Sequence, residues 1–139
     1  MTLKKCLRKV ISIHGMQSNA QVIEKFVDVP SDVPLPVKIC AYRFVQEGLN
    51  NAEQHGAADT CRLSVRYNKG VLTVVLKDNG KGFRTSILKK ESSSHLGLIG
   101  LKDRIESIGG TFHINSELGV GTAIKFSVDC DDSNLTSDT

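Results

Sequence analysis

Glu47, Asn51 and His55 stand at steps of four inside the stretch QEGLNNAEQH. On an α-helix, where residues four apart stack along one flank, they form a line of carboxylate, carboxamide and imidazole. A carboxylate there can accept a proton or orient a water. A carboxamide oxygen can ligate a hard cation such as Mg2+, which prefers oxygen ligands and brings phosphate with it. A structural reading stands beside the chemical one: Asn51 caps a backbone group, Glu47 pairs with Arg43 at i−4, and His55 interacts with the helix dipole at its C-terminal end. Three such residues on or beside an apolar face are harder to assign to structure than any one alone. Burying an amide or carboxylate without a partner costs about 1–3 kcal/mol.

A second group of residues is built on glycine. Asp78-Asn79-Gly80-Lys81-Gly82-Phe83 follows an apolar β-rich run, so its alternate glycines let the backbone turn sharply against a flat ligand. The carboxylate at the strand end can accept a hydrogen bond from an exocyclic amine. HLGLIGLKDRI places Gly97 and Gly100 at the start of a helix, where free N–H groups and the positive end of the dipole can hold phosphate. Gly119-Val120-Gly121-Thr122 reads equally well as a plain hairpin turn. Neither G-x-x-x-x-G-K-[ST] nor G-x-G-x-x-G occurs, which removes the P-loop and the dinucleotide fold as routes to a nucleotide.

The elements that must position these groups are legible from periodicity. Leu3, Leu7, Val10 and Ile11 recur at helical spacing opposite Lys4, Lys5, Arg8 and Lys9, predicting a helix from Leu3 to Ile13 with Gly15 as its stop. AQVIEKFVDV predicts a strand, and PSDVPLP a loop. A long helix is expected from about Pro36 to His55, ended by Gly56. Its core side is Val37, Ala41, Phe44, Val45, Gly48 and Ala52, with Lys38, Gln46, Asn50 and Glu53 facing away and Asn51 projecting between Cys40 and Phe44. CRLSVRY and VLTVVLKD read as a hairpin about Asn68-Lys69-Gly70, and TFHINS and TAIKFSVD as a second about ELGVG. Between the hairpins lie the polar segment RTSILKKESSSH and a helix from about Leu98 to Ile108, ended by Gly109-Gly110.

The 139 residues, 40% hydrophobic and 24% charged, suffice for one core and one domain over 1–129, with 130–139 an acidic tail expected to fray. The net charge of +3 is mild, and the basic residues are scattered along the chain apart from Lys4 to Lys9, which argues against a nucleic-acid partner. Cys6, Cys40, Cys61 and Cys130 lie far apart without a C-x-x-C pair. Free thiols and a cytosolic setting are therefore expected rather than a zinc site or a disulfide framework. The longest apolar run, VLTVVL, is far short of the roughly 20 residues a membrane span requires.

Taken in order, Q-E-x-x-x-N-x-x-x-H, strand-D-x-G-x-G-F, G-L-x-G-L-x-x-R and G-x-G-T-x-I-x-F resemble the ATP-binding catalytic domain of bacterial sensor histidine kinases. The chain looks most like the nitrate-sensor and desaturase-regulator branch, and the wider superfamily includes DNA gyrase, a mismatch-repair ATPase and a cytosolic chaperone. The resemblance runs from the first helix to about Asp129 and implies an α+β fold of the Bergerat type. That fold is a two-layer sandwich whose mixed, mostly antiparallel sheet is covered on one face by about three helices. It also implies ATP and Mg2+ as cofactors, with Asn51 ligating the metal and Glu47 at the catalytic position. Asp78 would take the adenine amine, Gly80 and Gly82 would shape its pocket, and Thr122 would support it. Gly97, Leu98, Gly100 and Leu101 would lie at the edge of a nucleotide lid formed by Arg84 to His95, and His55 would close the first box.

The implied reaction is transfer of the γ-phosphate to a histidine on a separate phosphoacceptor and dimerisation segment, with a response regulator downstream. The domain itself would be cytoplasmic and monomeric, without membrane or nucleic-acid contact. The chain departs from the pattern at Gln54, where relatives usually carry a cation, and at Ser94, where glycine is common. Nothing before Val37 resembles a phosphoacceptor helix, and His14 at a helix end lacks the acidic neighbour of an acceptor. The competing functions are a same-fold serine kinase of the anti-sigma type and a non-catalytic docking module.

Overall fold

Burial alternates residue by residue along the strands, and the fold follows from covering one side of that alternation. A computed structural model of the chain describes residues 1–15, 21–54, 58–84 and 96–131. Its elements are α1 (Leu3–Gly15), β1 (Gln21–Val27), α2 (Leu35–Gln54), β2 (Thr60–Asn68), β3 (Val71–Asp78), α3 (Leu96–Ser107), β4 (Thr111–Glu117) and β5 (Gly121–Asp129). The five strands form one sheet in the order β1-β2-β3-β5-β4. β1 and β2 run parallel because α2 carries the chain back between them, and the other three pairings are antiparallel. The three helices lie on one face, as the two-layer α+β reading requires.

Along β2, Cys61, Leu63 and Val65 point into the core while Arg62 and Arg66 are exposed. The turn to β3 uses positive φ at both Lys69 (51°) and Gly70 (84°), the geometry that matches the twist of two paired strands. Phe44 of α2 meets Phe126 edge-on at 4.9 Å and Phe112 at 6.3 Å, joining the long helix to β5 and β4. All six core-side residues expected of α2 are buried, and Cys40, Leu49 and Asn51 are buried with them. The buried face is wider than the sheet alone would make it because α1 flanks α2 on one side and α3 on the other.

That flanking corrects the expectation that Lys38, Gln46 and Glu53 face away from the core. All three are half-buried, with Lys38 Nζ donating to Met1 O and Glu53 Oε2 3.5 Å from Nδ1 of buried His14 on α1. α3 begins at Leu96, two residues earlier than its periodicity indicated. All four cysteines are free. No helix of the described residues is long and apolar enough to cross a membrane. Cys130 N donates to Gly70 O, and Tyr67 Oη donates to Asp131, so the chain stays tied to the β2–β3 turn as far as Asp131. The rest of the acidic tail, 132–139, lies outside the described residues.

Candidate functional site

α2 lies against the sheet at Gly48, where an added Cβ would strike Leu76 and Ile124, a cross-strand pair of β3 and β5. The next inward pair along that ladder, two residues or about 7 Å further, is Asp78 and Thr122. The C-terminal half of α2 runs toward the same end, because the chain leaves it to enter β2 at Thr60 and Cys61 pairs with Asp78. Glu47, Asn51, Asp78 and Thr122 therefore gather at one end of the sandwich. The N-terminus of α3 joins them: a Cβ on Gly97 would collide with the Glu47 carboxylate.

Asp78 is held firmly. Its Oδ1 accepts hydrogen bonds from Gly80 N at 2.8 Å and Thr122 N at 3.3 Å, while Oδ2 has no hydrogen bond among the described residues. Burial raises its pKa above the ordinary carboxylate value, and the two backbone N–H groups offset part of that rise. Beside it, the Cys61 thiol is pushed up to about 11, first by burial and then by the Asp78 charge, so it stays protonated and inert. Asn79 Oδ1 accepts from both Asp59 N and Thr60 N at 3.0 Å, pinning the α2–β2 connection to the start of the glycine box.

The glycine positions explain themselves sterically. Gly82 has φ +67° and faces the Glu117 carbonyl, and Gly121 has φ +138° and faces the Asp78 carbonyl; a side chain at either would meet backbone. Lys81 O accepts from Gly119 N at 2.7 Å, which closes the box against the β4–β5 turn. Ser116 completes the brace. Its hydroxyl accepts from Phe83 N at 2.8 Å and lies 2.7 Å from Thr122 Oγ1.

The α2 flank is the opposite case. Asn51 is only 7% exposed, yet its Oδ1 is a buried acceptor with no hydrogen-bond partner among the described residues. Half-buried Glu47 makes no hydrogen bond or ion pair among the described residues, so the expected alternative of a Glu47–Arg43 pair is not what the fold forms. An unpartnered carboxamide oxygen next to a carboxylate is suited in chemistry to a hard cation such as Mg2+, which is held by a few protein oxygens and completes its shell with water and phosphate.

Residues 38–132 match the family described as histidine kinase-, DNA gyrase B- and HSP90-like ATPase. The chain belongs to that ATPase family. Among relatives of the same family it is 34% identical over 122 residues to the signal transduction histidine-protein kinase/phosphatase DegS of Brevibacillus brevis, covering 88% of this chain and 31% of that protein. It is 32% identical over 92 residues to the oxygen sensor histidine kinase NreB of Staphylococcus carnosus, covering 66% of this chain and 26% of that one. The chain thus spans about a third or less of these relatives. The histidine kinase domain of the blue-light activated kinase from Erythrobacter litoralis EL346 has the same fold, with a TM-score of 0.69 at 21% identity over 98% of this chain and 63% of that one.

Of the residues singled out by the sequence, the fold brings Glu47, Asn51, Asp78, Gly80, Gly82, Gly97 and Thr122 to one end. Leu98 and Leu101 are each 3% exposed in the core, so only their backbone is available to a ligand. Among the described residues nothing approaches within 4 Å of a Cβ added at Gly100. His55 and most of the expected lid, 85–95, lie outside the described residues. Two residues that brace the site, Asn79 and Ser116, were not singled out. Asn79 carried a signal as an amide at a strand end, where asparagine bonds nearby backbone. Ser116 carried one only through hairpin register, which sets it opposite Thr122.

Proposed function

We propose that this chain is the nucleotide-binding catalytic domain of a sensor histidine kinase, binding Mg-ATP and presenting its γ-phosphate to a histidine on a separate phosphoacceptor segment. The observation that carries this reading is Asn51 Oδ1, buried on the same helix flank as Glu47 without a partner among the described residues, at the end of the sandwich that also holds Asp78. In this reading Asn51 would hold Mg2+, which when bound neutralises charge on the phosphates. Asp78 Oδ2 would accept a hydrogen bond from the adenine amine, its position set by Gly80 N and Thr122 N. Glu47 lies against the α3 N-terminus, where it orients water or takes the proton of the incoming imidazole.

Phosphoryl transfer depends chiefly on positioning and charge neutralisation, so an acceptor from outside needs little covalent help from this domain. His14 is not that acceptor. It is 6% exposed and faces Glu53 on the α1 side of α2, the flank away from Gly97. A response regulator receiving the phosphoryl group, and a cytoplasmic setting, belong to the same proposal.

Titration with a fluorescent ATP analogue, with and without magnesium, tests it. The chain should bind the analogue more tightly with Mg2+, and Asn51→Ala should lose that dependence while melting as a folded protein. Equal affinity of both proteins in magnesium would remove the metal assignment.

A further inference from the structure

The sheet has a second face, uncovered by any helix of the described residues; Glu117 and Asp129 project at its margins, and its middle is cationic. Lys25 on β1, Arg62 and Arg66 on β2, Lys77 on β3 and Lys125 on β5 all project from it and are exposed. They border a shallow depression of about 520 Å³, none of whose lining residues is acidic. Register sets Arg62 directly opposite Lys77, a like-charge pair that opposes strand pairing. None of the five cations forms an ion pair among the described residues. In the sequence these residues are far apart and read as scattered. The two-residue alternation of strands gathers them on one face, which their scatter along the chain does not reveal.

We infer that this open face is a docking surface for an acidic polypeptide segment of a partner protein. Charge complementarity is the argument: five unpaired cations at close quarters lower the potential energy of any carboxylate-bearing chain laid over them and steer its approach. The dimensions agree. Arg62 to Arg66 spans about 13 Å along β2, and β1 to β5 about 14 Å across four strands, the footprint of two to three helical turns.

The floor between the cations is aliphatic at Ile23, which is 37% exposed, and Val75, with hydroxyls at Ser64 and Thr73. A polypeptide interleaving apolar and acidic side chains complements that floor. The lining residues include no aromatic ring, whereas single-stranded nucleic acid is held largely by stacking on such rings. The face lies on the opposite side of the sheet from Glu47 and Asn51, so its occupant need not compete with a nucleotide.

The test uses the 139-residue chain and three anionic probes of known composition: a 20-residue poly-L-glutamate, a 20-nucleotide single-stranded DNA, and vesicles of phosphatidylserine and phosphatidylcholine. Poly-L-glutamate should bind most tightly, with affinity falling as salt rises. Lys25→Ser/Arg66→Ser/Lys125→Ser should weaken it by about tenfold, the sum of three modest surface pairs. A control with the same loss of charge on α1, Lys4→Ser/Lys5→Ser/Lys9→Ser, should change it less than about twofold. Both variants should keep the thermal midpoint and Mg-ATP affinity of the parent. Equal weakening by the two triple variants would reduce the effect to net charge and overturn the inference. Tighter binding of DNA or vesicles that the sheet-face variant abolishes would assign the face to another class of partner. Loss of Mg-ATP binding in that variant would return the cations to the nucleotide site.

Discussion

The Asp78 corner and the Glu47–Asn51 flank sit at the same end of the molecule and are built on opposite principles. At the corner each side chain that shapes the site is tied to protein: Asp78 through Oδ1 to two backbone N–H groups, Asn79 to two more, Ser116 to Thr122 and to Phe83 N. On the flank, among the described residues, Asn51 Oδ1 is buried without a partner, and Glu47 makes no hydrogen bond or ion pair and lies close to Gly97. A braced corner recognises a rigid, flat group before it arrives. An unbraced flank is completed by what it binds, and carries the cost of an unsatisfied acceptor until then. In the proposed function these are the adenine end and the phosphate end of one ligand.

The largest expected effect lies on the flank. Glu47→Ala should retain Mg-ATP binding but lower phosphoryl transfer to an added phosphoacceptor segment by about a hundredfold or more. Gly97→Ala, whose Cβ would displace the same carboxylate, should reproduce part of that loss. Full transfer by Glu47→Ala would hand the base role to the partner and leave the flank a metal and water holder.

At the corner, Asp78→Asn should cost about tenfold or more in ATP affinity by calorimetry, because a donor replaces the acceptor facing the adenine amine. The same substitution sharpens the comparison through pH. The folded pKa of Asp78 is raised above 3.8, so the protonated form favours the fold, fully below 3.8, and this contribution is lost as pH rises through the folded value. At neutral pH the Asn variant without ligand should therefore melt higher than the parent, and the gap should close on acidification. A gap that widens toward low pH would show that the carboxylate, not its absence, supports the fold.

The smallest expected effects have opposite signs. Asn51→Leu removes a buried orphan and should stabilise the ligand-free chain by about 1 kcal/mol. Asn79→Ala leaves Asp59 N and Thr60 N without their acceptor and should destabilise it by a similar amount. Denaturant melts of both variants, measured without nucleotide, decide the matter, and two changes of the same sign would dissolve the contrast between braced and unbraced.

Much of this was legible before the fold was known. The long helix, both hairpins and the six core-side residues of α2 follow from local period. Glu47, Asn51 and Asp78 carry their chemistry in residue type and spacing, whereas Thr122 is singled out only by the family resemblance. Gln46 and Glu53 were misjudged because a helical wheel knows one neighbour, the sheet, and not the α1 that covers its flank. Asn79 and Ser116 were passed over because their role is a hydrogen bond across sequence separations of 20 and 33 residues.

What the sequence determined by itself is what nearest neighbours enforce: side-chain period, the positive φ of Lys69 and Gly70, the sharp turns of the glycine boxes, and the order in which chemical groups appear. What only the tertiary structure decided is which groups are left without partners and which are brought together. Asn51 Oδ1 is an orphan because of what packs around it, and five dispersed cations share a face because strand pairing, a non-local interaction, stacks their alternate positions side by side.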